Sequence, residues 1–422
     1  MRSYSNTSDV DFNRIPINKF WNSIEEKESN IHRIHSYPAK FPAFLTTKAI
    51  QFAKEKKMKP TRIADIFCGC GTVAIEARKS NIEFWGCDIN PVATLIAEVK
   101  SEKYDVNLIE NYYDNILKIC ENIIIDLGYE NANERIKYWF DEKTYGDLFK
   151  LKRAILTNAY KNKKYKDFFL CAFSNILKAS SRWLTKSIKP QVDPDKVPQN
   201  VFYLFEHQVE FMLNALKENP IGTFAKSVIK TNSILNKKLR PPKVDMIITS
   251  PPYVTSYEYA DLHQLSSLWL EFTDNYTELR KGTIGSRYHL DTFDIENHKK
   301  KVNKIGQRII NRLAKKDKSK AKSVTRYFYD MQQVVKQSIN MLNDGGICLF
   351  VIGNTEYKGV KINNAKHLYE SMKDIGFRRF YITKRKITNK ILTPYRDEEG
   401  KFTDDKNSRK IYSEEFIIIG KK

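Results

Sequence analysis

The feature that most constrains the fold is an alternation of strand and helix patterns between residues 62 and 99. RIADIF is a short apolar run that ends in a glycine-rich turn, and TVAIEARKS after it has helical spacing. IEFWGCDI is a second strand pattern, and Pro91 opens the helical VATLIAEVK. Proline suits the first turn of a helix because its missing N–H would have no partner there. A strand–helix–strand–helix unit of this kind predicts an α/β fold with a parallel sheet.

Five later segments have strand composition and extend the predicted sheet to seven strands. They are AKSVIKTN (225–232), VDMIITS (244–250), GGICLFVIGN (345–354), FRRFYITKRK (377–386) and EEFIIIGK (414–421). Residues 101–222 instead show helical apolar spacing, as in NLIENYYDNILKICENIII and FFLCAFSNILKAS. We therefore expect one domain in two halves, 1–100 and 223–422, separated by an inserted helical region at 101–222.

The charge of the chain indicates a polyanionic partner. Lysine and arginine number 72 against 50 aspartates and glutamates, a net charge of +22, in a chain of ordinary globular hydrophobicity. Half of the excess lies in a basic insert at 280–326, where 15 basic residues stand against four acidic ones. Such a distribution favours nucleic acid as the partner, with general lysine usage or a solvated surface as the alternative.

Several classes of protein and site are excluded by what the sequence lacks. The six cysteines form no CxxC pair, so neither a disulfide framework nor a structural zinc site is indicated. His32, His35 and His263 have no third ligand at a suitable spacing, and we predict no metal site. The first twenty residues contain no apolar signal-peptide core, and no run is long enough to span a bilayer. We therefore expect a cytoplasmic protein without membrane contact.

A glycine-rich turn follows the first strand of the unit. In DIFCGCGT, Gly69 and Gly71 let the backbone turn tightly and approach a ligand, and the next helix begins there with free N–H groups. The third glycine of a dinucleotide-binding turn is absent, since Ala74 stands at its position. Asp88 ends the second strand, where a carboxylate accepts hydrogen bonds from a ribose diol. This pattern predicts a nucleoside cofactor, with a helix cap before Pro91 as the alternative role of Asp88.

A rigid loop, TSPPY at 249–253, follows the strand at 244–250. Two successive prolines remove two N–H donors, so the segment leaves the sheet and presents its carbonyl groups at the carboxyl edge. Open α/β sheets bind ligands at that edge. The hydroxyl of Ser250, the carbonyl acceptors and the aromatic face of Tyr253 suit a planar base with an exocyclic amine. An ordinary Pro-Pro turn with a surface tyrosine is the alternative.

FCGCGT, GCDINP and TSPPY occur in the order typical of a known enzyme family. Together with HSYPAKFP (35–42), they resemble the motifs of the S-adenosyl-L-methionine-dependent amino-methyltransferases of DNA, the site-specific modification methylases. The resemblance covers residues 31–100 and 225–421 and implies the family's seven-stranded Rossmann-like methyltransferase fold, here with a helical insert. It also implies S-adenosyl-L-methionine as cofactor, double-stranded DNA as substrate and a restriction-modification or host-protection system. A cognate restriction endonuclease would act in that system without forming a stable complex.

The resemblance also implies site residues, position by position. Those implied for the cofactor are Tyr37, Pro38, Lys40, Asp65, Phe67, Gly69, Gly71, Thr72, Asp88, Asn90 and Asn232, and those implied for catalysis are Ser250, Pro251, Pro252 and Tyr253. In this scheme Asp88 holds the ribose and Tyr253 stacks on the target base. Asn232 replaces the acidic residue that the family often carries after its third strand. HSYPAKFP would lead into a helix over the methionine part of the cofactor, with Phe41, Phe44, Leu45, Ala49 and Phe52 on one helical face.

The implied reaction is direct methyl transfer to an exocyclic amino nitrogen, without a covalent enzyme–base intermediate. No cysteine follows a proline, so carbon-5 methylation of cytosine is not expected. Ser250 favours the 4-amino group of cytosine, because the adenine enzymes that the chain resembles usually carry aspartate there. Adenine 6-amino methylation, an RNA or protein-glutamine methyltransferase, and a non-catalytic nucleic-acid-binding subunit are the alternatives. Target recognition is assigned to the helical insert, the basic insert or both.

Overall fold

The computed structural model describes most of the chain. The described residues are 2–22, 28–38, 40–123, 128–159, 161–219, 225–254, 259–286, 293–387, 395–396, 403, 405–407, 409–410 and 413–422. Residues 287–292 of the basic insert therefore lie outside the described residues, as does Ala39 of HSYPAKFP.

One large sheet organises the described residues. Their strands are β1 (Arg2–Ser5), β2 (Arg62–Asp65), β3 (Glu83–Asp88), β4 (Ser227–Thr231), β5 (Val244–Thr249), β6 (Leu342–Ile352), β7 (Thr355–Tyr357), β8 (Val360–Ile362), β9 (Arg379–Lys386), β10 (Tyr395–Arg396), β11 (Arg409–Lys410) and β12 (Glu414–Lys421). The large sheet has the order β1-β9-β12-β6-β5-β2-β3-β4, and β7–β8 and β10–β11 are separate two-stranded sheets. All seven predicted strands lie in the large sheet, which confirms the α/β class.

The sheet has an eighth strand, β1, that the sequence pattern does not predict. Its four residues, RSYS, pair antiparallel with β9 at the edge of the sheet. A short edge strand is stabilised by backbone pairing on one side, so it needs no apolar run that a sequence pattern would reveal.

The strand directions create one ligand-binding edge. β6, β5, β2, β3 and β4 run parallel, whereas β12 runs antiparallel to its neighbours β6 and β9. The chain leads from β2 to β3 and β4 on one side, and from β5 to β6 on the other. The order therefore reverses between β2 and β5, and the carboxyl ends of parallel strands open a crevice at such a reversal.

Helices cover both faces of the sheet. In the described residues they are α1 (Ala43–Glu55), α2 (Thr72–Lys79), α3 (Pro91–Ser101), α4 (Val106–Asn122), α5 (Glu134–Trp139), α6 (Glu142–Ala159), α7 (Lys163–Ile176), α8 (Val201–Glu218), α9 (Tyr259–Leu262), α10 (Gln264–Trp269), α11 (Ile295–Lys301), α12 (Lys304–Ala314), α13 (Lys318–Met341) and α14 (Asn364–Ile375). None of these is both long and apolar enough to cross a membrane.

Alternate strand residues pack against different helices. Ile63 of β2 clusters with Ala49 and Phe52 of α1, whereas Ala64 clusters with Val334 of α13. Successive side chains of a strand point to opposite faces, so the sheet is buried on both faces and its strands appear as continuous apolar runs.

Helices α4 to α8 lie in the region with helical apolar spacing, residues 101–222. Their buried faces form a third apolar cluster with α3 and α10, which includes Ile116, Phe169, Phe205 and Trp269. The N-terminal motif helix is shorter than predicted, because α1 begins at Ala43 with Pro42 at its N-cap. Leu45, Ala49 and Phe52 are buried in it as expected, whereas Phe41 precedes the helix and packs against the same cluster.

Candidate active site

A side-chain hydrogen bond crosses the crevice between β2 and β5. Thr249 donates its hydroxyl to Asp65 Oδ1 at 2.6 Å, and the same oxygen accepts the Phe67 N–H at 3.1 Å. Burial raises the pKa of the Asp65 carboxyl to about 7, against the lowering effect of these two bonds. Asp65 therefore links the two halves of the sheet, and Phe67, two residues later, is half-buried.

The turn after β2 needs both of its glycines, for different reasons. Gly69 and Gly71 have φ angles of +46° and +81°, in the left-handed region that L-residues rarely adopt. A Cβ at Gly71 would also lie 2.7 Å from the Cβ of Ala97 in α3, so α2 and α3 pack too closely there for any side chain. At Gly69 a Cβ would meet only the Tyr37 ring, at an ordinary 3.6 Å, so only the backbone conformation demands glycine.

Asp88 holds the turn from the neighbouring strand. Its Oδ2 accepts the Gly69 N–H and its Oδ1 accepts the Asn90 N–H, both at 2.9 Å. The helix-cap alternative is wrong, because Asn90 caps α3 by accepting the Val92 N–H at 3.0 Å. Burial raises the pKa of the Asp88 carboxyl, and the two backbone bonds oppose that shift. Asn232, after β4, donates its N–H to the Asp88 carbonyl at 2.8 Å, so the structure brings these two residues together.

Polar atoms at this edge fit a nucleoside cofactor. Thr72 Oγ1, at the start of α2, and Asn90 Nδ2, at the start of α3, are buried without a hydrogen-bond partner among the described residues. Buried polar groups normally have partners, so these two atoms are available to a polar ligand. The carboxylate of Asp88 keeps further lone pairs for ribose hydroxyls beside them. The residue types and their placement therefore suit S-adenosyl-L-methionine.

The Tyr37 ring lies at the glycine-rich turn and contacts His263, a residue that the sequence did not connect with it. Its ring stacks on His263, with centroids 4.8 Å apart and planes at 21°, and its edge faces Gly69. His263 is 4% exposed and burial lowers its pKa to about 4, so its ring is neutral. The two residues are 226 positions apart in the sequence, and no spacing pattern connects them.

Lys40 of the N-terminal motif has two partners within the described residues. Its ammonium pairs with Glu28 and donates to the His32 carbonyl at 3.0 Å. Pro38 lies in the turn directly after Tyr37. The structure therefore brings Tyr37 to the glycine-rich turn and leaves the charge of Lys40 compensated by an acid.

The TSPPY loop is fixed by side chains and strands around it. The Ser250 hydroxyl donates to the Val351 carbonyl of β6 at 3.0 Å, which leaves the lone pairs of Oγ available as acceptors. Pro251 is buried, and the Pro252 carbonyl accepts the Tyr327 hydroxyl of α13 at 2.9 Å. Of the two proline carbonyls, the one at Pro252 therefore already accepts a hydrogen bond within the protein.

The Tyr253 ring is held at its hydroxyl and at its edge. The hydroxyl donates to Glu415 Oε1 at 2.7 Å, and Arg385 donates to the other oxygen of Glu415 at 2.8 Å. A Cβ at Gly353 would lie 3.0 Å from Tyr253 Cε2, so glycine leaves room for the ring there. Burial and the nearby Glu415 carboxylate raise the pKa of Tyr253 well above its usual value. Glu415, Arg385 and Gly353 were not identified from the sequence.

All six cysteines, including Cys68 and Cys70 in the glycine-rich turn, are buried. Burial raises the pKa of Cys68, in the turn, and of Cys87, in β3, well above the usual value. Within the described residues, no group of three or more His, Cys, Asp or Glu side chains is placed to hold a metal ion.

Comparisons with known proteins agree with the motifs. Residues 2–99 match the model of the DNA methylase family of N6 and N4 methyltransferases. The chain is 22% identical over 387 residues to the type II methyltransferase M.MvaI of Kocuria varians, across 86% of this chain and 85% of that protein. It is 32% identical over 106 residues to the type II methyltransferase M.MjaII of Methanocaldococcus jannaschii, across 25% of this chain and 19% of that protein.

Among solved structures, the rRNA methyltransferase aviRa of Streptomyces viridochromogenes aligns over 96% of each chain, with a TM-score of 0.31 and 9% identity. The family match contains the glycine-rich turn and Asp88, and the alignment to M.MvaI extends over most of the chain. The donor of the methyl group that these likenesses imply is S-adenosyl-L-methionine. Residues 2–99 are therefore similar to the amino-methyltransferases of DNA, and most of the chain is similar to a type II methyltransferase.

Proposed function

We propose that this protein methylates the 4-amino group of cytosine in double-stranded DNA, as the modification enzyme of a type II restriction-modification system. Type II methyltransferases among its relatives, a net charge of +22 and the TSPPY loop beside the cofactor turn support this proposal. The observation that carries it is the environment of Ser250, whose hydroxyl proton is directed at the Val351 carbonyl.

We assign the cofactor to the crevice at the ends of β2 and β3. Asp88 would hold the ribose, and the buried polar atoms of Thr72 and Asn90 would bind further polar groups. Tyr37 would cover the turn at Gly69, where its ring already lies. When bound, S-adenosyl-L-methionine supplies an electrophilic methyl group at this edge of the sheet.

The target amine would be bound by the TSPPY loop. The lone pair of such a nitrogen is delocalised into the base, so transfer requires a more pyramidal nitrogen. Ser250 Oγ would accept one amine hydrogen and the Pro251 carbonyl the other, since the Pro252 carbonyl is occupied by Tyr327. The stacking surface for the flipped base would be the Tyr253 ring. The nitrogen would gain the methyl group as the bond from that group to the cofactor sulfur breaks, which leaves S-adenosyl-L-homocysteine. The nitrogen would lose one proton to water, and no bond would form between base and enzyme.

The choice of cytosine rests on the residue at position 250. In the enzymes that this chain resembles, aspartate at this position usually accompanies adenine and serine usually accompanies cytosine. Because the Ser250 proton is directed at Val351, the side chain faces the base as a neutral acceptor. That is sufficient for an amine hydrogen and avoids placing a second charge near the buried Asp65.

Mass spectrometry of nucleosides tests the proposed reaction. DNA from a host that expresses the protein should contain 4-methylcytosine, and DNA from a host that expresses Ser250→Ala should contain much less. 6-Methyladenine alone would assign the enzyme to adenine, and 5-methylcytosine would contradict the mechanism. Methylated nucleosides in RNA but not in DNA would replace the proposed substrate.

A further inference from the structure

Helix α12, in the basic insert, has one apolar and one basic face. Its buried residues, Gly306, Ile309, Ile310 and Leu313, pack against α13 and α14. Lys304, Arg308 and Arg312 lie on the exposed side, spaced four residues apart. Residues with that spacing are neighbours on a helix surface, so the three cations form a row about 12 Å long.

The acidic residues of the insert are all used elsewhere or lie outside the described residues. Asp294 caps α11, and Glu296 lies 3.8 Å from Lys299. Asp317 caps α13, accepts the Tyr357 hydroxyl at 2.8 Å and pairs with Lys358 at 3.3 Å. Asp291 lies outside the described residues.

Helix α12 itself contains no acid. Lys304, Arg308 and Arg312 also form no ion pair with an acid elsewhere in the described residues, and the acids Asp330 of α13 and Glu370 of α14 pair with Arg326 and Lys373. An ordinary solvated helix intersperses charges of both signs, so an acid-free basic face is typical of a polyanion-binding surface.

The end of α12 lies at the reacting edge of the sheet. Helix α13 ends at Met341 and β6 begins at Leu342, so α13 runs back along the sheet from the carboxyl edge to the opposite edge. Both elements are roughly 36 Å long, from 24 residues of helix and 11 of strand. The turn from α12 into α13, with exposed Lys315 and Lys316, therefore lies near the carboxyl end of β6.

A direct contact supports this placement. The Tyr327 hydroxyl of α13 donates to the Pro252 carbonyl of the TSPPY loop at 2.9 Å. The hairpin β7–β8, which follows β6, contacts the start of α13 through Tyr357 and Asp317. The basic row thus belongs to the same end of the molecule as the residues assigned to the target base.

We propose that the exposed face of α12 binds the phosphate backbone of duplex DNA beside the base to be methylated. The inference rests on the proposed function, since it takes DNA as the substrate. It assigns phosphate binding to Lys304, Arg308 and Arg312, and not to Lys299, which has Glu296 as an acidic neighbour. Each phosphate contact releases counterions and makes DNA binding weaker as salt rises.

A matched pair of triple variants tests the proposal. The first is Lys304→Gln, Arg308→Gln and Arg312→Gln. The control is Lys54→Gln, Lys59→Gln and Lys226→Gln, three exposed lysines that precede β2 and β4 and so lie at the opposite edge. Both variants lower the net charge by the same amount, so a difference between them reports the position of the charge.

The measurement is the DNA dissociation constant of the intact protein at several salt concentrations. We expect the slope of log K against log salt to fall by up to about 0.9 for each phosphate that the α12 variant no longer binds. The control should keep the slope of the unmodified protein, and both variants should bind S-adenosyl-L-methionine normally, which shows that they fold.

Two different failures are distinguishable. An unmodified protein that binds no DNA and leaves no methyl group on it would refute the proposed function. An unmodified protein that binds and methylates DNA, with equal slopes for the two triple variants, would overturn the assignment of α12 alone.

Discussion

Asp88 combines two tasks in one carboxylate. It fixes the turn through the N–H groups of Gly69 and Asn90, and we assign it the ribose as well. Asp88→Ala should weaken S-adenosyl-L-methionine binding more than tenfold, because hydrogen bonds to charged groups are worth about 1.5–3 kcal/mol. Titration calorimetry measures this affinity.

The control for Asp88 is another aspartate that accepts backbone N–H groups. Asp105→Ala removes the N-cap of α4, where Asp105 accepts the Asn107 N–H at 3.0 Å, and should leave the cofactor affinity unchanged. A folded Asp88→Ala variant with normal affinity would limit Asp88 to the turn. Burial raises the pKa of Asp88, so this carboxylate becomes protonated at a higher pH than an exposed aspartate does. As pH is lowered, the affinity for S-adenosyl-L-methionine should therefore begin to fall at a correspondingly higher pH.

Tyr253 offers its ring and its hydroxyl to different partners. Tyr253→Ala should bind S-adenosyl-L-methionine normally but lose roughly tenfold or more of its turnover, since base–aromatic stacking is worth about 1–3 kcal/mol. Tyr253→Phe keeps the ring and loses the bond to Glu415, so its turnover should lie between that of Tyr253→Ala and that of the unmodified protein. Steady-state rates at saturating DNA decide this, and full activity of the alanine variant would contradict the proposed base pocket.

Motif residues were predictable from the sequence, whereas their supporting residues were not. Asp88 and the TSPPY residues stand in short segments whose composition reflects the turn that they make. Glu415 lies 162 residues from Tyr253 and looks like any acid at a strand start. The contact exists only because β12 returns to the sheet with its first residues at the carboxyl edge, and one sequence does not encode such a pairing locally.

At the scale of elements, the packing of α2 against α3 depends on Gly71. Gly71→Ala would force a side chain to 2.8 Å from the Ala97 backbone at a φ of +81°. Gly128 also has a positive φ, +55°, but a Cβ there would meet nothing within 4 Å. Gly71→Ala should therefore lower the free energy of unfolding by about 1–3 kcal/mol more than Gly128→Ala, because overpacking adds to the backbone cost. Urea denaturation measures both, and equal losses would show that α2 moves freely.

The strands were more predictable than the element boundaries. β2 and β5 are buried on both faces, so their sequences are continuous apolar runs between turn residues. β1 lacks that signal because it is a short edge strand. The start of α1 was placed too early because Phe41 belongs to the apolar pattern but precedes the Pro42 cap.

At the scale of the whole molecule, buried histidines link stability to pH. His367 is 1% exposed and stacks on Phe328 at 4.0 Å, and burial lowers its pKa from 6.5 to about 3. At a pH between these two pKa values, His367 is protonated in the unfolded chain but not in the folded chain. His367 therefore makes the protein less stable as pH falls through this range. The slope approaches about 1.4 kcal/mol per pH unit.

The variant His367→Phe replaces the imidazole by a ring that binds no proton but can still stack on Phe328. Its free energy of unfolding should depend less on pH between 6 and 4, by about 1 kcal/mol per pH unit. His207→Gln, which replaces a histidine that is 53% exposed, is measured beside it as the control for removing a histidine from the surface. Urea denaturation at several pH values gives the slopes, and equal slopes for His367→Phe and the unmodified protein would show that His367 titrates in the folded chain.

The division of the chain into two halves of one domain, 1–100 and 223–422, and an inserted helical region, 101–222, stays a prediction. We propose that the DNA site is recognised by the helical region, the basic insert or both. Nothing in the composition of either region distinguishes sequence readout from backbone contact, since both depend on how side chains meet a particular groove.

The position of β12 between β6 and β9 has a consequence for biosynthesis. Strands β6 and β9 emerge from the ribosome before β12, which lies between them in the sheet. β1 is synthesised before its only neighbour in the sheet, β9. Until β12 arrives, β6 and β9 expose unpaired edges of the kind that drive aggregation. The Glu415 that anchors Tyr253 arrives with that same strand. Nascent chains that lack β12 are therefore without the Tyr253 anchor, so interrupted synthesis should yield aggregation-prone fragments with an incomplete base pocket.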